Sequence, residues 1–434
     1  MGPLEVALIL FGVFAALIIL RVPVAFALGL ACVPVFFIDD RLTPFLLLNE
    51  MLKSYNSFLL LAIPFFMLAA NLMNTAGITE KLISLSRALV GHLPGGLGHV
   101  SVLVSMLFAG ISGSSTAEAA GVGGVLIPAM KKQGYDTEFT VALIACAAVM
   151  GVIIPPSILM VVWGGVISVS IGGLFLAGVV PGVLMGLSLM VAVYIYAKRR
   201  NYPVYPRATL KEFLSACGQA LLPILTPGII VGGIVFGFFT PTEASVIAVL
   251  YAMLLGGLIY RALPPKVLLH TLYDSARFAA IALFCIGTAS AFGWILAYFH
   301  IPALVVNAVA SWGGGVTSVG FITAAAFLFI GCFIDAIPAI IIVGTILAPL
   351  ADKVHMHPIH FAIIGVISIA YGLVTPPYGL CLMIACSIGG IKIKQAVKDT
   401  AILFIPMLIV LLIVILFPQI ILWLPRLLMP QFVK

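Results

Sequence analysis

Charge is what this sequence has least of: 8% of its 434 residues are charged, 63% are hydrophobic, and mean hydropathy is +1.29. Soluble globular chains carry about a quarter charged residues, so a water-soluble surface is excluded. The seven cysteines fall in apolar stretches with no CxxC pair, which leaves neither a disulfide framework nor a zinc site. No GxxxxGK[ST] loop is present, so this chain does not itself hydrolyse ATP, and neither GxSxG nor HExxH occurs. His300, His355, His357 and His360 lack a Glu/His spacing on one helix face, so a transition-metal site is not supported. The N-terminus lacks the basic start and small-residue cleavage site of a removed signal peptide, so the first apolar run is expected to persist as a helix.

What the chain does have is apolar length, and lipid is the solvent that suits it. A crossing needs about 20 apolar residues. Continuous spans are predicted at residues 5–20, 23–39, 57–75, 172–197, 219–239, 242–260, 277–298 and 399–424. Two further crossings, 139–168 and 359–390, are interrupted by double prolines, and two regions, 97–130 and 314–350, each read as two short helices around a polar or Gly-rich break. Residues 78–93 are amphipathic and read as a helix lying in the interface, and 44–54 and 264–275 read either as further interfacial helices or as loose loops. Trp163, Trp294, Trp312 and Trp423 suit packing or the membrane interface rather than a ligand box.

The net charge of +7 comes from 21 basic against 14 acidic residues scattered in short loops, which excludes nucleic acid as the natural partner and fits the positive-inside rule. Lys198, Arg199, Arg200, Arg207 and Lys211 form the strongest basic cluster and are placed in the cytoplasm. Arg261, Lys266, Arg277, Lys131, Lys132, Lys392, Lys394 and Lys398 join them, whereas loop 299–313 has no Lys or Arg and is placed outside. This parity requires 97–130 and 314–350 to enter and leave on one side, as re-entrant hairpins. Both termini then come out periplasmic.

Sliding the chain against itself by 221 residues aligns Gly110 with Gly331, Gly123 with Gly344, Pro128 with Pro349, Gly151 with Gly372, and Pro155-Pro156 with Pro376-Pro377. Each copy holds three crossings and one hairpin. Three is odd, so the second copy is inverted, as in secondary transporters. The fold class expected is an all-α polytopic membrane protein with inverted repeats, two re-entrant hairpins and two broken helices. Residues 1–56 form N-terminal scaffold helices, 57–200 repeat 1, 201–276 central scaffold, 277–424 repeat 2 and 425–434 a tail.

The first hairpin turns within residues 110–118, where Ser112, Ser114, Ser115, Thr116 and Glu118 place four hydroxyls and a carboxylate. Such a group inside a bilayer must be buried in protein or face a wet cavity. It is expected to meet the break at 151–157, where Pro155 and Pro156 free carbonyls of the preceding turn. Carbonyls and hydroxyls are the hard oxygen ligands a small cation takes. The second hairpin repeats the logic with Gly331 and Asp335 facing Gly372, Thr375 and Tyr378. An anionic substrate suits the half-helix N-termini between the tips; Ser115, Thr116, Glu118 and Ser157 are its candidate contacts. Glu118 and Asp335 repel an anion until a cation neutralises them, a physical reason for coupling the two. Thr240 or Thr242 is expected to cap the crossing that follows, with Glu243 in its first turn.

The stretches GISGSSTAEAAGVGGVLIPAMKKQGYD (110–136), IIPPSI (153–158), FTPTEAS (239–245) and YGLVTPPYG (371–379) resemble the large membrane subunit of the tripartite ATP-independent periplasmic (TRAP) transporters, the DctM-like family. The resemblance implies an elevator-type permease of the ion-transporter superfamily in a bacterial inner membrane, with no enzymatic activity. It implies sodium as the coupling ion and no cofactor. It implies import of an organic acid (a sialic acid, sugar acid or dicarboxylate) delivered by a periplasmic substrate-binding protein, with a separate small four-helix membrane subunit as partner. Carried onto this chain, one sodium falls to Ser112, Ser114, Gly151, Ile154 and Pro156, and a second to Gly331, Asp335, Gly372, Thr375 and Tyr378. Two other readings stay open: a stand-alone sodium/divalent-anion symporter, and a membrane receptor or scaffold without transport.

Overall fold

The computed structural model describes residues 2–37, 39, 41–310 and 314–432, and among them every regular element is helical. Among the described residues, six helices are long and apolar enough to cross a membrane: Ile171–Arg200, Leu210–Val235, Pro241–Ile259, Pro265–Tyr298, Ala336–Lys353 and Ile393–Leu416. Shorter apolar helices include Pro3–Ile19, Val24–Phe36, Thr137–Val152 and Ile158–Ile167. Chain ends of these helices are marked chemically. Prolines occupy the first turns at Pro3, Pro44, Pro241, Pro265 and Pro358, where no amide donor is needed. Thr240 caps Pro241–Met253 in a reciprocal box with Glu243, the structural role expected for that pair.

Three expectations are corrected. The span at 399–424 is two helices, Ile393–Leu416 and Pro418–Leu428, because Pro418 cannot donate and forces Phe417 out of the helical region, to φ −125° and ψ 72°. The amphipathic segment 264–275 is no separate interfacial helix; it runs unbroken into the next crossing as the 34-residue Pro265–Tyr298. Loop 299–313 carries a helix, Ile301–Ala310, whose apolar run was too short to stand out; Trp312 lies outside the described residues. Residues 44–54 and 78–93 do form helices, Pro44–Tyr55 and Ile78–Val90, the latter turned 69° from Ala62–Thr75.

The 221-residue recurrence is visible in the elements. Ser115–Lys132 and the continuous run Ala336–Lys353 correspond residue for residue, as do the cis peptides Pro155-Pro156 and Pro376-Pro377. Gly96–Ser112 and Ser115–Lys132 pack together as one helical hairpin; Val316–Gly331 and Ala336–Lys353 form another. The copies interlock. Ser115–Lys132 packs on Leu380–Gly389 of the other copy, and Trp163, fully buried, lies against Phe327 and Phe361 at 5.3 and 5.4 Å between ring centroids.

Candidate functional site

The first hairpin turns in two residues. Gly113, at φ +63°, ends the incoming helix in the left-handed conformation that glycine adopts freely. Ser114 then caps the outgoing helix, its Oγ accepting from the Ala117 N–H at 3.4 Å and sharing a 3.1 Å hydrogen bond with the Thr116 hydroxyl. The tip is seated on the first proline break: the Ile158 N–H donates to the Gly113 carbonyl at 3.2 Å. Gly151 sits so close beneath that a Cβ there would stand 3.0 Å from the Ser114 carbonyl oxygen. At the break, Ser157 Oγ donates to the Val152 carbonyl at 2.6 Å and accepts from the Met160 N–H, starting the next half-helix.

The second tip is built by different residues to the same plan. Asp335 caps its half-helix, Oδ1 accepting from the Ala336 N–H at 2.7 Å, and the Tyr378 N–H donates to the Cys332 carbonyl at 3.0 Å. Gly331 and Gly372 meet backbone to backbone; a Cβ on Gly372 would stand 2.6 Å from the Gly331 Cα. The Thr375 hydroxyl donates to the Tyr371 carbonyl at 2.9 Å, leaving its own lone pairs to accept.

Both tips open on one cavity of about 760 Å³. Gly113, Ser114, Ser115 and Thr116 line it from the first hairpin, and Phe333, Asp335, Ala336 and Ile337 from the second. Tyr378 and Leu380 come from the second break, and Phe278, Ile281 and Cys285 from Pro265–Tyr298. A mostly apolar wall with a few convergent polar groups is the usual make-up of a small-molecule site. Of the sequence-predicted contacts, Ser114, Ser115, Thr116, Asp335 and Tyr378 face this cavity together. Glu118 and Ser157 do not line it and are buried at 0% and 1% exposure. Glu118 packs beneath the tip against Gly151, with neither carboxylate oxygen hydrogen-bonded. Ser112 is buried behind the tip, its Oγ accepting from the Ser114 N–H at 3.4 Å.

Sequence reasoning missed Arg21. It lies in the short link between Pro3–Ile19 and Val24–Phe36, is the one cation among the described cavity-lining residues, and holds φ +63°. A lone Arg interrupting two long apolar runs was its signal. At one end of the molecule, Asp136 accepts from the Tyr202 hydroxyl at 2.6 Å and from Arg200, whose guanidinium also reaches Asp399 at 3.4 Å. The Tyr202 hydrogen bond, with Arg200 beside it, holds the Asp136 carboxyl below the usual carboxylate range.

A family model described as "Tripartite ATP-independent periplasmic transporter, DctM component" matches residues 11–420. The chain is 40% identical over 98% of its length, and 98% of the relative's, to the uncharacterized protein YgiK of Salmonella typhimurium. It is 36% identical, over 87% of its length and 89% of the relative's, to the sialic acid TRAP transporter large permease protein SiaM of Vibrio cholerae. In structure it is similar to the Alcanivorax borkumensis YdaH transporter, with a TM-score of 0.60, 15% identity and 87% of each chain covered; this likeness concerns the fold alone.

Proposed function

We propose, for a chain that belongs to the DctM component family of the TRAP transporters, that it is the sodium-coupled permease subunit for an organic acid. It is a transport protein and not an enzyme. The observation that carries the reading is the meeting of both hairpin tips and the second proline break around a single cavity. A substrate there touches two elements that recur at a 221-residue shift, so movement of both tips together carries it. An odd number of crossings per copy supports an inverted repeat, hairpins that re-enter from opposite sides and an elevator motion.

The oxygen atoms suit sodium. Ser112 and Ser114 with backbone carbonyls at Gly151, Ile154 and Pro156 supply one hard-ligand set; Asp335 and Thr375 with Gly331, Gly372 and Tyr378 supply the other. Asp335 carries the negative charge that an organic anion meets in the cavity, and sodium bound beside it removes that repulsion. Each ligand then strengthens the other's binding by the same factor. Arg21 supplies the opposite charge at the cavity wall. The relative named for sialic acid supports an organic acid as cargo, delivered by a periplasmic binding protein, with a small membrane subunit completing the scaffold in the bacterial inner membrane. The distribution of basic loops supports a periplasmic location for both termini.

The test is uptake by proteoliposomes holding this chain with its small subunit and a soluble receptor, under an inward sodium gradient. Accumulation should need all three proteins and sodium. Equal uptake without the receptor would establish the stand-alone symporter instead, and absence of any sodium effect would remove the coupling.

A further inference from the structure

Away from the transport cavity, a second cavity of about 550 Å³ opens between the amphipathic helix Ile78–Val90 and the start of Leu210–Val235. Arg87, Arg207 and Lys211 line it, together with Tyr205, Glu212 and Gln219. Among the described residues none of these three cations forms an ion pair. The one acid present is already engaged: the Glu212 carboxylate accepts from the Thr209 N–H at 2.7 Å and its hydroxyl at 2.9 Å, closing a helix cap.

The basic wall is held in place. The Arg87 guanidinium lies over the Tyr205 ring at 4.1 Å. Tyr205 is fixed in turn, its N–H donating to the Gly91 carbonyl at 3.2 Å and its hydroxyl accepting from the Gln133 side chain. A guanidinium stacked by its face keeps its edge donors for a planar or tetrahedral oxyanion. The same two helices also carry exposed leucines, turned away from the cavity: Leu210 at 73%, Leu214 at 60% and Leu89 at 42%. Charge on one side and bare leucines on the other match a molecule with an anionic head and acyl chains.

We propose that this cavity is a binding site for an anionic phospholipid, its phosphate held by Arg87, Arg207 and Lys211. Basic pockets at the headgroup level select such lipids, and an amphipathic helix lying in the interface brings its polar face to that level. The lipid fastens Ile78–Val90 to Leu210–Val235, two helices that pack directly. Phosphate is the shared chemistry of lipid and soluble anion, and the test separates them.

The purified full-length chain in neutral detergent is titrated with dihexanoyl phosphatidylglycerol, dihexanoyl phosphatidylcholine or inorganic phosphate while its thermal unfolding is followed. Phosphatidylglycerol should raise Tm saturably, phosphatidylcholine should not, and phosphate should do so only weakly at matched concentration. In Arg87→Gln/Arg207→Gln/Lys211→Gln the half-saturating phosphatidylglycerol concentration should rise at least tenfold; Arg207→Gln/Lys211→Gln serves where the triple variant does not purify. Lys392→Gln/Lys394→Gln, which removes exposed charge elsewhere, should leave the response unchanged. An unaltered response in the cavity variants, an equal loss in the Lys392/Lys394 variant, or phosphate or phosphatidylcholine matching phosphatidylglycerol would each overturn the site.

Discussion

Asp335 and Arg21 are the two charged side chains among the described residues lining the cavity between the tips, and each makes a separable demand. Asp335 caps a half-helix with one oxygen, so its other oxygen is free for a cation. Asp335→Asn keeps the size and an acceptor oxygen while removing the charge; sodium half-saturation of uptake should rise about tenfold, near 1.4 kcal/mol, with membrane insertion unchanged. Equal sodium dependence in the variant would count against the role. Arg21 holds a left-handed φ of +63°, which costs a non-glycine residue about 1 kcal/mol. Arg21→Gly should therefore leave Tm equal or higher while raising the substrate half-saturation several-fold, and Arg21→Lys should retain most of the affinity. If Lys and Gly behave alike in uptake, the side-chain charge has no part in binding.

At the scale of elements, each tip is seated by glycine. The Cβ of Gly372→Ala would meet the Gly331 backbone at 2.6 Å, where no flexible side chain can give way; overpacking of this kind costs on the order of 1–3 kcal/mol. Gly228, within Leu210–Val235, has open space around it, so Gly228→Ala should be neutral or stabilising by up to about 1 kcal/mol. Thermal unfolding in detergent compares the two directly, and a Gly372→Ala protein as stable as Gly228→Ala would show the second tip is not seated as described. The sequence marked both tips and both breaks through Gly, Ser and Pro at fixed offsets. It did not show that Glu118, four residues beyond Ser114, points into the packing rather than the cavity. Helix phase at a capped tip depends on where the cap residue lies, and one residue of phase turns a side chain by about 100°.

For the whole molecule, the cluster Asp136, Arg200, Tyr202 and Asp399 ties a loop to the ends of Ile171–Arg200 and Ile393–Leu416. The folded Asp136 carboxyl titrates below its usual range. Its contribution is therefore present above the ordinary carboxylate pKa and is lost as pH falls through the lower, folded value. Asp136 is half exposed, so the effect is small. Asp136→Asn should flatten the acid side of the stability–pH curve, and an unchanged curve would remove the assignment. Cavity access is also a property of the whole assembly. In a Cys285→Ser background, Ser114→Cys and Tyr378→Cys should both react with an aqueous thiol reagent and both be protected by sodium with substrate. Protection of one alone would separate the tips.

Composition determined the solvent, because a chain with 8% charged residues cannot cover itself against water. Local chemistry determined the breaks, because proline removes donors and glycine admits left-handed turns wherever they stand. The amphipathic pattern marked Ile78–Val90, yet the same kind of pattern at 264–275 proved to be the first turns of a 34-residue helix. Only the tertiary structure decided which polar groups share a cavity. The contacts that set this, Ser115–Lys132 on Leu380–Gly389 and Trp163 on Phe327, join residues more than 150 positions apart, and no local pattern records such a distance.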